Sequence, residues 1–211
     1  MAGAGELRRR SGVRSEEERT DDSTARLLER IRQGDADAFE QVAREQAPRL
    51  FRLALKLCGR REDAEDLVQE TLVRALPALR RFEGRARLST YLIRALTNIW
   101  KNRLRSRKRS RLVDWFRGKR EDDDAQDSLE ATAIDPVPSA EQRIEAEQRG
   151  AVVRDAIERL EPNRRLALLL REVNEMSYEE IAETTGVAVG TVRSRLARAR
   201  DDLRRLLEDR L

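Results

Sequence analysis

One stretch constrains this chain more than any other: residues 176–207, MSYEEIAETTGVAVGTVRSRLARARDDLRRLL. Ser177 stands three residues before Glu180, the spacing at which a hydroxyl and a carboxylate reciprocally satisfy the free amides of a helix start. The pairing predicts a helix from Tyr178 to about Thr184. Gly186 supplies the backbone freedom of a tight turn, and a second helix is predicted from Val189 or Gly190 to about Leu207. Ile181, Ala182, Val187, Val192, Leu196, Ala199, Leu203 and Leu206 fall at helical spacing and form the expected buried side. Thr191, Arg193, Ser194, Arg195, Arg198 and Arg200 mostly lie off that stripe. Residues 189–205 hold six Arg against two Asp. Capping box, turn glycine and Arg-rich helix follow in the order of a helix-turn-helix whose second helix reads the DNA major groove. The plainer alternative is an amphipathic hairpin with a solvated basic face.

The remaining chain must be compatible with that unit. Across 211 residues, charged side chains make up 40% and aromatics 4%, which suits helical bundles with thin cores better than a sheet-based enzyme. There is no His, and Cys58 is the sole Cys, so a Cys/His zinc site, a His-based triad and an internal disulfide are all excluded. Cys58, within LALKLCG, reads as a small buried residue. No apolar run approaches a membrane span, and the expected location is cytoplasmic. No cofactor is implied. The expected fold is all-α, with two small helical domains joined by a flexible acidic linker.

In chain order, residues 1–22 lack apolar spacing and read as a disordered tail. A short helix is expected from Ser23 to Gly34. Asp35 caps the next, which Pro48 should kink or divide and Gly59 should stop. The following helix, ending at Pro77, places Ala64, Leu67, Val68, Thr71, Leu72, Ala75 and Leu76 on one stripe. Glu62, Asp63, Glu65, Asp66, Gln69 and Glu70 load its first turns. Carboxylates at a helix N-terminus are favoured by the macrodipole, so the cluster is either plain helix design or a docking face for a basic partner protein.

A loop centred on Gly84 precedes a long helix expected to start at Ser89. From Arg85 to Arg120 there are thirteen Arg or Lys and one acid, Asp114, interleaved with Tyr91, Trp100, Trp115 and Phe116 and preceded by Phe82. Cations that track phosphates beside rings that stack bases are the chemistry of single-stranded nucleic acid binding. Tyr91 and Trp100 are equally eligible as core residues. Polarity then reverses: residues 121–147 carry ten acids and one Arg. This composition break sets the expected domains at 23–113 and 139–211, with a linker over 114–138 that is either a spacer or a mimic of nucleic acid. Ser139 and Gln142 form another capping-box pattern, and Glu161-Pro162-Asn163 places a proline at a helix start.

Four phrases in this order resemble the bacterial RNA polymerase sigma factors of the extracytoplasmic-function group: GDADAFEQVAREQAPRLFRLA, DAEDLVQETLVRAL, FEGRARLSTYLIRALTN and LEPNRRLALLLREVNEMSYEEIAETTGVAVGTVRSRLARAR. The resemblance covers about residues 24–110 and 140–209. It implies a first domain that binds the polymerase clamp and opens the −10 element, and a second that reads the −35 element. By that resemblance Asp63, Glu65, Asp66, Gln69 and Glu70 match the clamp-binding surface. Phe82 to Leu88, with Gly84, Arg85 and Arg87, matches the loop that captures a flipped −10 base. Tyr91, Arg94, Asn98, Lys101 and Arg103 lie on the helix that tracks the −10 strand. Thr191, Arg193, Ser194, Arg195 and Arg198 match the −35 recognition helix. Tyr91 stands where the family often has Trp, and the loop carries two extra Arg; both bear on the −10 preference. The implied partners are core RNA polymerase (the clamp of its largest subunit and the flap), promoter DNA as duplex and single strand, and an anti-sigma protein. The resemblance implies no catalysis. The competing expectation is a stand-alone helix-turn-helix regulator that binds duplex DNA without polymerase.

Overall fold

Asp35 starts the first long helix by accepting from the amides of Asp37 and Ala38, and Gly59 ends it in the left-handed conformation at φ 75°. Between them α2 (Ala36–Cys58) runs without a break in the computed structural model, which describes residues 16–82, 87–116 and 140–208. Pro48 therefore does not divide α2. The carbonyl it leaves unbonded belongs to Arg44, on the exposed side, where water can satisfy it.

Seven further helices are described: α1 (Glu16–Arg32), α3 (Arg61–Leu79), α4 (Leu88–Phe116), α5 (Ala140–Arg159), α6 (Pro162–Glu172), α7 (Tyr178–Thr185) and α8 (Val189–Glu208). Among the described residues there is no strand. Helix α1 begins before Ser23 and so overlaps the tail expected over 1–22; a polar, charged sequence carries a helix there without apolar spacing. Pro77 lies inside the last turn of α3 rather than ending it. The bond it forgoes is to the carbonyl of exposed Val73, and the Arg80 amide still closes on Leu76. Helix α4 runs to Phe116, past the expected domain edge at 113. The remainder of the expected linker and the pattern at Ser139 lie outside the described residues.

Helices α1 to α4 pack around Leu50, Leu53, Leu67, Leu79, Leu92, Ile93 and Leu96, all essentially without solvent exposure. Helices α5 to α8 pack around Leu166, Leu169, Leu170, Ile181, Val192 and Leu196. Truncating any of these leucines to Ala costs about 2–5 kcal/mol by lost transfer energy and a residual cavity. The two sets are contiguous, because α2 meets α5 and α6, and α4 meets α7. At one such meeting, Arg49 donates from Nη2 to the carbonyl of Asn174 at 3.0 Å. Asn174 is buried in the turn after α6, just before Glu175, which turns the chain at φ 57°. At another, α5 approaches the end of α2 so closely that a Cβ on Gly59 would lie 3.4 Å from the Glu158 carboxylate.

Candidate nucleic-acid and polymerase interface

The helix-turn-helix forms as its residues require. Ser177 accepts from the Glu180 amide at 3.1 Å, and the Glu180 carboxylate accepts from the Ser177 amide at 2.8 Å. Gly186 closes α7 in the left-handed conformation at φ 69°. Val192, Leu196 and Ala199 bury one side of α8 against α6 and α7, with Leu203 and Leu206 partly buried beyond them. The opposite side carries Arg193, Ser194 and Arg198, exposed, flanked by half-buried Thr191 and Arg195. Ser194 donates its hydroxyl to the Thr191 carbonyl at 3.0 Å, as a serine within a helix commonly does.

The arginines of this unit divide into two groups. Arg200 is paired with Glu172 at 2.8 Å, while Arg164 and Arg205 share Asp202. These pairs tie α8 to α6 or lie along α8 itself. Among the described residues, Arg193, Arg195 and Arg198 have no ion pair. The cations left without an internal carboxylate are thus the ones on the outward face of the second helix, where phosphates and guanine edges are reached.

The acidic residues of α3 do not share one face. Glu65, Asp66 and Gln69 are exposed, whereas Asp63 and Glu70 turn toward α4. Arg107 donates to Asp63 at 3.1 Å, and Arg103 donates from Nε to Glu70 at 2.9 Å. Glu65 and Gln69 instead border a groove of about 530 Å³ floored by Ala47, Pro48, Phe51, Val68 and Leu72. The sequence pattern carries no signal for this apolar floor, since its residues fit ordinary helix stripes.

On α4, Trp100 is 6% exposed and belongs to the core with Leu92, Leu96 and Ile99, so it offers no stacking face. Phe82 and Tyr91 are half-buried with ring centroids 5.2 Å apart, tilted at 55°, a contact that joins the loop end to the helix. The Phe82 carbonyl also accepts from Arg32 of α1. Arg87 and Asn98 are exposed; Gly84 and Arg85 lie outside the described residues. Arg94 pairs with Glu183 of α7, and Lys101 donates from Nζ to the Thr185 carbonyl at 2.7 Å. Burial, with Arg105 and Arg195 nearby, lowers the Lys101 pKa from its ordinary value. Glu183 and the Thr185 carbonyl carry no sequence signal, because helical periodicity says nothing about which exposed oxygen will meet a cation from a distant helix.

Cys58 is a half-buried thiol. Burial first, then Asp63, pushes it up to about 11, so it stays protonated at neutral pH and is a poor nucleophile.

Two helical modules, one of them a capped helix-turn-helix with an unpaired cationic face, define a nucleic-acid-binding class of protein. Comparison with known proteins narrows it. The sigma-70 region 2 model matches residues 42–110, and the sigma-70 region 4 model matches residues 151–203. The RNA polymerase sigma-H factor of Pseudomonas aeruginosa is 32% identical over 90% of this chain and 96% of its own length. The extracytoplasmic-function sigma factor SigE of Mycolicibacterium smegmatis is 35% identical over 79% of this chain, which spans 60% of that relative. Among solved structures, the sigma factor RpoE of Bartonella quintana, in complex with the anti-sigma factor NepR, superposes with a TM-score of 0.59 at 30% identity. That match covers 82% of this chain and 98% of RpoE. CnrH, solved with the cytosolic domain of CnrY, shares the fold with a TM-score of 0.60 at 24% identity, over 90% of this chain and all of that one. The chain belongs to the extracytoplasmic-function sigma factors of bacterial RNA polymerase, a family of promoter-recognising transcription initiation factors. Among the described residues, no helix is long and apolar enough to cross a membrane.

Proposed function

We propose that this protein acts in the cytoplasm without catalysing a reaction. It joins core RNA polymerase and directs it to promoters through two DNA contacts and one protein contact. The unpaired Arg193, Arg195 and Arg198 on α8 are the observation that carries the reading: with Thr191 and Ser194 they read the −35 element in the major groove. The loop from Phe82 to Leu88, including Gly84, Arg85 and Arg87, receives a base flipped from the −10 element. Tyr91, Arg94, Asn98, Lys101 and Arg103 on α4 track the separated strand. Unstacking a base costs a few kcal/mol, which capture in the loop and phosphate contacts along α4 offset.

Core polymerase docks on α3, and the division of its acids assigns roles within that surface. Glu65 and Gln69, exposed at the apolar groove, make the contact together with exposed Asp66. Asp63 and Glu70 hold α4 in place beneath it. The working domains are residues 23–113 and 139–211, with the acidic segment 114–138 as their tether and 1–22 outside them. An anti-sigma protein is the expected regulator, as the relative solved with NepR supports.

The docking assignment is tested by co-purification with core polymerase. Glu65→Arg should weaken association at least tenfold while the melting temperature stays within a degree or two, because among the described residues its ion pair is with the exposed Arg61 one turn away. Wild-type association by Glu65→Arg together with Gln69→Arg would refute it.

A further inference from the structure

Helix α1 ends beside the loop assigned to the flipped base. Leu27, Leu28 and Ile31 bury its inner side, so its last turn is held against the core. Gly34 then turns the chain at φ 88°, and Arg30 closes that turn by pairing with Asp35 at 2.8 Å. Arg32 stands in the last turn of α1, where a cation ordinarily serves the free carbonyls of its own helix. Instead its Nη1 donates to the Glu29 carboxylate at 2.8 Å, and its Nη2 crosses fifty positions of sequence to the carbonyl of Phe82. Gln33 donates to the other Glu29 oxygen at 3.4 Å, so the carboxylate that aligns the guanidinium is itself aligned.

Phe82 is where the chain leaves α3, its amide closing on the Leu79 carbonyl at 3.2 Å. A carbonyl at a helix end needs a partner from outside the helix, and Arg32 supplies it. The Phe82 ring meets Tyr91 in the first turn of α4. That turn is fixed in its own right: the Tyr91 amide donates to the Arg87 carbonyl at 3.1 Å, and Leu88 is buried. One end of the loop is thus held by the start of α4, and the other by a side chain from α1.

We propose that Arg32 is a positioning residue for promoter opening: through the Phe82 carbonyl it sets the Phe82 and Tyr91 rings where an extruded −10 base meets them. The proposal rests on the assignment of Phe82 and Tyr91 to the −10 element. Arg32 touches no base. It removes in advance the freedom that the loop end would otherwise lose on capture.

The test uses holoenzyme reconstituted from the full chain and core polymerase, on a template that yields a run-off transcript with the wild-type chain. Permanganate reactivity of thymines near the start site follows opening. A second readout is the fluorine spectrum of the free chain carrying para-fluorophenylalanine, with the Phe82 signal assigned by Phe82→Leu. The Arg32 side chain is 40% exposed, so its truncation leaves the core intact. Arg32→Ala should shift the Phe82 signal and slow opening about threefold or more, with duplex binding before opening unchanged. Arg32→Lys, whose ammonium still reaches one carbonyl, should restore the greater part of both. Arg30→Ala removes an equal charge from the same helix end without touching Phe82, and should open at the wild-type rate. An Arg30→Ala effect as large as that of Arg32→Ala would overturn the proposal, as would slowed opening with the Phe82 signal unmoved. Wild-type opening by Arg32→Ala would overturn it and leave the −10 assignment standing, provided Phe82→Ala still slows opening. Wild-type opening by Phe82→Ala as well would trace the failure to that assignment.

Discussion

Glu70 on α3 accepts from Arg103 on α4 at 2.9 Å through one carboxylate oxygen, while Arg74, one turn along α3, takes the other at 2.7 Å. Both members of the α3–α4 pair are about three-quarters or two-thirds shielded from solvent, at 25% and 32% side-chain exposure. Arg103 is therefore a structural cation, and a substitution at Glu70 disturbs the frame between α3 and α4.

Glu70→Ala should lower the stability of the chain by about 1–2 kcal/mol, between the values of exposed and buried pairs, because Arg103 is left without its carboxylate. Chemical denaturation checks this. Arg103→Ala should cost a similar amount, and the double variant should cost less than the sum, since the two act on one interaction. Additive losses would show that the pair contributes nothing of its own.

Arg193→Ala and Arg198→Ala should leave the melting temperature unchanged, because neither side chain has an ion pair among the described residues. Each should weaken binding of the −35 duplex by about 1–3 kcal/mol if it grips a base edge with both nitrogens. Quantitative promoter binding by the reconstituted holoenzyme measures the loss. Arg200→Ala is the contrasting case: it breaks the pair with Glu172 and should change stability more than sequence preference.

Glu158 supplies a pH dependence. Burial raises its pKa above the usual carboxylate value, and Asp155 adds to that against the pull of Arg165 and Arg154. The folded chain holds this proton to higher pH than the unfolded chain does. Its effect on stability is therefore absent in acid below the unfolded value, and stability is lost as pH rises toward and through the folded value. Glu158→Gln, which mimics the protonated form, should melt above wild type at pH 7, and the gap should close as the pH falls through the carboxylate range. A gap that is the same at every pH would contradict the assignment.

The parts legible in the sequence are those fixed by local chemistry. Ser177, Glu180 and Gly186 set α7 to within a residue of its expected end, because a capping box and a left-handed glycine act over one turn. Asp35 and Gly59 did the same for α2. Proline is a weaker boundary signal: Pro48 does not divide α2 and Pro77 does not end α3, because both sit inside helices where the residues whose carbonyls they orphan are exposed. The start of α1 was missed because Glu16 to Asp22 carries no apolar stripe to read. Within the site, Arg193, Arg195 and Arg198 were legible as an outward face, since the stripe opposite them fixes it. The partners of Arg94 and Lys101 were not, because Glu183 and Thr185 lie more than eighty residues away in sequence and meet α4 only through packing between modules.

The central claim, that this chain carries polymerase to a start site, is tested most directly by run-off transcription with purified core polymerase on templates selected from the source genome. The account predicts a discrete transcript that requires both core and chain, starts at one position, and is lost with Arg193→Ala combined with Arg198→Ala. A chain that shifts duplex DNA by itself yet yields no new transcript with core polymerase on any template would contradict it.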